Sequence, residues 1–155
     1  MTLVADSTRL RVRPNGKTLG AEVSGGDLMA LSLVEQAAIR QALADHLVLR
    51  FRGYRLDDIQ FTRFGDSLGE LQPSPDYTRS RKVYSAEAPM MTIISNVTED
   101  GEPIGEHGDG ELNWHTDLAF TDFPSEYTML LAREIPGAGG NTWFANMYAA
   151  YEAMP

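Results

Sequence analysis

The chain has 155 residues, 43% of them hydrophobic and 23% charged, which is material for one core and a single domain over residues 1–155. Thirteen Lys and Arg against 22 Asp and Glu leave a net charge of −9, and so acidic a chain is a poor partner for nucleic acid, whose phosphate backbone needs clustered cations. With no cysteine, disulfides, thiolate metal sites and cysteine nucleophiles are excluded.

No apolar run approaches the roughly 20 residues of a membrane-spanning helix, and the first residues lack a basic-then-apolar leader. A cytoplasmic protein without a membrane partner is expected. Residues 8–12 alternate and predict a short strand, closed by a turn at Pro14-Asn15-Gly16. Residues 19–23 predict a second strand, ended by Ser24-Gly25-Gly26-Asp27. Ser32, with Glu35 three residues on, forms a capping box that opens a helix to about His46, with an apolar stripe of Ile39, Leu43 and Leu47. Residues 47–51 predict a buried strand. Asp57 caps a second helix through about Leu68, with Gly69 placed as a glycine stop.

Gln72-Pro73-Ser74-Pro75-Asp76 excludes regular structure. Strands are predicted at 90–95, 112–120, 127–132 and 141–145. The Gly- and acid-rich stretch 99–111 between them predicts a long solvated loop, and Pro136 to Gly140 a turn. Asn146 caps a last short helix in which Tyr148 and Tyr151 serve packing. Two early helices and later strands give an α+β, mostly β fold. Its β-rich core reads as started and not finished at the C-terminus.

The residues that carry chemistry are Trp114-His115-Thr116-Asp117. On a strand, i and i+2 project from one face, so His115 and Asp117 point together. An imidazole nitrogen beside a carboxylate oxygen supplies two of the three ligands of the facial triad that holds non-haem Fe(II) and leaves the opposite face open. The plainer alternative is a buried histidine bonded to a neighbouring aspartate. A second His-x-Asp, His107-Gly108-Asp109, sits among glycines and reads as solvated loop. The acids of that loop miss the spacing of a calcium loop, and Gly137-Ala138-Gly139-Gly140 lacks the Lys ending of a phosphate loop.

In its order of motifs the chain resembles the taurine dioxygenase / 2,4-dichlorophenoxyacetate dioxygenase (TauD/TfdA-like) family of Fe(II)- and 2-oxoglutarate-dependent enzymes. The resemblance is carried by residues 19–28, 47–52, Phe64-Gly65, Gly69-Glu70-Leu71, Asn113 to Asp117, Ile135-Pro136, Gly139 to Thr142 and residues 148–153. It implies the N-terminal half of a double-stranded β-helix, or jelly roll, with flanking N-terminal helices. It implies iron on His115 and Asp117, with 2-oxoglutarate as co-substrate near the hydroxyl of Thr142, O2, and a small-molecule substrate beside Tyr77. The implied reaction is oxidation of the substrate, hydroxylation by default, with decarboxylation of 2-oxoglutarate to succinate.

Two departures bear on substrate. Ser74 stands where the taurine enzymes carry a histidine, and Glu111 where they carry an asparagine. A carboxylate in that place repels a sulfonate, so taurine is not the expected substrate. No His follows His115, and Arg133 is the only later Arg and matches no family ligand. The third iron ligand and the arginine that clamps 2-oxoglutarate are therefore missing. The expectations are a site completed by a C-terminal half, or an inactive copy serving as a binding module. An unfinished sheet exposes strand edges, which invites a homo-oligomer or a complementing half.

Overall fold

A computed structural model describes residues 9–16, 18–73, 86–107 and 113–155. In chain order the elements are β1 (Arg11–Pro14), β2 (Ala21–Ser24), α1 (Leu33–His46), β3 (Leu49–Phe51), α2 (Asp58–Leu68), β4 (Ile94–Ser95), β5 (Thr98–Glu99), β6 (Glu102–Pro103), β7 (Glu106–His107) and α3 (Met147–Glu152). They fall into two units, one built from Met1–Arg55 with Arg133–Pro155, the other from Leu56–Ala132.

The first unit is organised around β2, the middle strand of a sheet ordered β1-β2-β3. Alternation places Ala21 and Val23 inward, both with no exposed surface, while Glu22 points outward. There Glu22 meets Arg50, its partner across the parallel β2–β3 ladder, at 2.9 Å, and Arg52 at 3.2 Å. β1 runs antiparallel to β2, with Val12 opposite Val23. α1 connects the parallel pair and lays Ile39 and Ala42 into the core beside Leu10 and Leu28.

α1 begins where its capping box predicts. The Ser32 hydroxyl accepts from the Glu35 N–H, and the Glu35 carboxylate accepts from the Ser32 N–H. Glu35 is buried, and its carboxylate also accepts from the Arg9 backbone N–H and side chain. The helix stops at Leu47, which takes a left-handed φ of 64° to return its N–H to Leu43. α3 is tied to this unit by Asn146, whose Oδ1 caps the helix at Ala149 while its Nδ2 donates to the Thr18 carbonyl at 2.6 Å.

In the second unit α2 is capped by Asp57, reciprocally with Gln60. Its buried residues are Phe64 and Gly65, and a Cβ on Gly65 would stand 2.7 Å from the Met129 methyl and 2.9 Å from Leu71. Met129 therefore lies directly on the helix. Gly69 closes α2 in extended backbone, φ 177°, so the expected left-handed stop is not used.

The predicted loop 99–111 is partly ordered. Asp100 and Gly101, at φ 52° and 84°, form a two-residue turn joining β5 to β6, and β4 pairs in parallel with β7. Of the strand predicted at 90–95 only Ile94–Ser95 forms, and the strand predicted at 47–51 is half-buried rather than buried. In place of the predicted strand, residues 113–116 are irregular and 117–120 form a turn, and neither 127–132 nor 141–145 enters a ladder. Alternation prepares a face for burial, but a strand also needs a neighbouring strand in register for its N–H and C=O groups, which alternation does not specify. Tyr148 and Tyr151, expected to pack, are both exposed.

Candidate metal centre

His115 and Asp117 stand where irregular backbone (113–116) runs into a turn that starts at Asp117. Leu118 takes a left-handed φ of 52°, and the Thr121 N–H reaches back to the Leu118 carbonyl at 3.0 Å. Ahead of this turn His115 Nε2 stands 3.1 Å from Asp117 Oδ1. The plainer sequence alternative, a buried pair, does not describe the contact: the two side chains are 54% and 46% exposed.

The ring's other nitrogen fixes the chemistry of the gap. His115 Nδ1 lies 2.7 Å from the Asn113 carbonyl, which can only accept, so Nδ1 carries a proton and donates. In the neutral ring Nε2 then presents a lone pair to a carboxylate oxygen. Two acceptors 3.1 Å apart require a cation between or beside them, either a proton or a metal ion. The Asn113 carbonyl, and after it the charge and hydrogen bond of Asp117, hold the imidazole above its ordinary value of 6.5, against the opposing effect of burial.

The pair also fits a metal. Two cis ligands of an octahedral ion, each about 2.1 Å from it, are separated by about 3 Å, the spacing found here. A histidine whose second ring N–H is held by a backbone carbonyl is the usual arrangement around a bound metal. Asp117 Oδ2 is occupied separately, accepting from the Thr128 hydroxyl at 2.8 Å. Among the described residues no group of three or more His, Asp or Glu gathers to complete a ligand set.

Of the other sequence candidates, Thr142 is exposed, in irregular backbone after Gly139 and Gly140, which both take positive φ, and it belongs to the other unit. Tyr77, Ser74, Glu111 and Asp109 lie outside the described residues. His107 contributes its backbone to the β4–β7 ladder, opposite Ser95. Sequence reasoning missed Thr128, a residue eleven positions beyond Asp117 and without a motif to mark it.

Residues 11–155 match the family model described as "Taurine catabolism dioxygenase TauD, TfdA family", and the chain belongs to that family. It is 34% identical to pentalenolactone F synthase of Streptomyces avermitilis, over all of this chain and 49% of that protein. It is 29% identical to (S)-phenoxypropionate/alpha-ketoglutarate-dioxygenase of Delftia acidovorans, over 95% of this chain and 50% of that one. Among solved structures it is similar to AAD-2 in complex with Mn(II) and N-oxalylglycine, with a TM-score of 0.71 at 26% identity, over 96% of this chain and 50% of the other. The chain thus spans about half the length of the curated relatives it matches. Among the described residues no helix is long and apolar enough to cross a membrane.

Proposed function

We infer that the chain is the metal-bearing N-terminal part of an Fe(II)- and 2-oxoglutarate-dependent dioxygenase with a jelly-roll core, its two units belonging to one domain. One observation carries this reading: His115 Nε2 and Asp117 Oδ1 converge at 3.1 Å with the imidazole already held in the ligating tautomer. Family membership and the alpha-ketoglutarate dependence named for a relative support it.

In this reading His115 and Asp117 each give one lone pair to Fe(II), and the third ligand comes from outside the described residues. The bound iron supplies O2 activation coupled to oxidative decarboxylation of 2-oxoglutarate to succinate and CO2. The chain's own residues do the positioning. The Asn113 carbonyl keeps the proton on Nδ1, so Nε2 stays free for the metal. The Thr142 hydroxyl donates to a carboxylate of 2-oxoglutarate, and Tyr77 borders the substrate. The substrate is a small organic molecule and the outcome hydroxylation; Glu111 disfavours a sulfonate such as taurine.

One observation favours a second reading, a catalytically silent binding module: no third ligand joins the pair among the described residues. Succinate formation from 2-oxoglutarate with Fe(II) separates the two. The dioxygenase reading expects turnover that drops to background in His115→Ala and in Asp117→Ala. Equal rates from the variants and the parent would remove both residues from the metal, and no turnover in any of them would favour the module.

A further inference from the structure

We propose that Thr128 is a positioning residue that holds Asp117 to a single metal-binding oxygen. The proposal rests on the metal reading of His115 and Asp117. The Thr128 hydroxyl donates to Asp117 Oδ2 at 2.8 Å, while Oδ1 faces His115 Nε2 at 3.1 Å. The two oxygens of one carboxylate are thereby assigned different work. A free carboxylate can turn and offer both oxygens to a cation. One whose Oδ2 accepts a hydrogen bond is held from turning, with Oδ1 kept on the side where the imidazole waits.

This distinction matters for a site of three protein ligands. Octahedral iron has six positions, and a two-oxygen co-substrate plus O2 need three of them. An aspartate bound through both oxygens would occupy one of those three. A hydroxyl donor on the outer oxygen keeps that position open at the cost of no charge.

The hydroxyl is itself held in place. Along 127–130 the side chains alternate, Tyr127 and Met129 half-buried, Thr128 and Leu130 exposed. Met129 lies on α2 at Gly65, so its neighbour Thr128 is anchored on a helix although its own side chain faces outward. Valine has the shape of threonine without the donor, and serine keeps the donor. Both substitutions fall on an exposed position, where a change of side chain ordinarily leaves the fold intact.

The test is Mn(II) titration of the protein, followed by the electron paramagnetic resonance of the free ion, with melting curves alongside. Thr128→Val is expected to weaken Mn(II) binding about 10- to 100-fold, the usual effect of losing a partner behind a ligand, with Thr128→Ser within about threefold of the parent. Unchanged binding in Thr128→Val overturns the proposal. So does equal weakening in both variants, because the serine donor would then have restored nothing. His115→Ala separates this outcome from the failure of the underlying reading. If the parent binds Mn(II) no better than His115→Ala, the metal centre itself falls and the role of Thr128 with it.

Discussion

His115 is caught between two oxygens, the Asn113 carbonyl on one side and Asp117 on the other. Both favour the charged ring, the carbonyl's hydrogen bond being the largest single cause, so the folded protein holds the imidazole above 6.5. A raised value means that this contact stabilises the fold fully below the unfolded value and that the gain is lost as pH rises through the folded one. The proton also occupies the place a metal would take. Mn(II) affinity is therefore expected to start falling on acidification while the pH is still above 6.5, measured as apparent affinity across a pH series. Asp117→Asn should bring the His115 titration, followed by the imidazole proton resonances, part of the way back towards 6.5, because the Asn113 carbonyl remains. A titration unmoved by that change would contradict the contact. The pair was legible in sequence through its i, i+2 spacing, but it forms where irregular backbone enters a turn and not on a strand face.

At the scale of elements, local signals and long-range ones separate. α1 and α2 were legible because each start is written within four residues: Ser32 with Glu35, and Asp57 at the head of the other. Ser32→Ala should cost about 1 kcal/mol of stability in denaturant unfolding, the ordinary value of a lost cap. Glu35 adds a pH dependence. Its carboxyl is held below the usual 4.5, first by the Ser32 backbone N–H, then by the Ser32 hydroxyl and Arg9, with burial opposing them. A depressed value gives stability that is present above the unfolded value and lost as pH falls through the folded one. Melting temperature should therefore drop on acidification below about 4.5, and less steeply in Glu35→Gln. The strands expected at 112–120, 127–132 and 141–145 were not decidable locally, because alternation says which side chains share a face and not which backbone lies alongside. The β5–β6 turn is the reverse case. Asp100-Gly101 is a strong hairpin signal, overlooked because the surrounding acids read as solvated loop.

Over the whole molecule, large apolar side chains remain bare in both units. Trp114, Phe120 and Phe123 are exposed in one; Ile135 at 80%, Trp143 at 75%, Tyr148 and Tyr151 in the other. Surface of this kind is ordinarily covered by another chain segment or a partner. Light scattering of the isolated chain is expected to show self-association, with binding of an apolar dye. A monodisperse monomer indifferent to the dye would contradict that expectation.

Asn146 makes one more demand on the chain. Its amide reaches Thr18 across 128 positions of sequence, so the first unit is written in two instalments with the whole of the second unit between them. Closing a flexible span of that length costs roughly 4 kcal/mol in chain entropy. On the ribosome, the three-stranded sheet emerges early and must wait for α3 until the intervening segment has been made. The amide that stitches the two instalments accordingly cannot form before the intervening segment has been made.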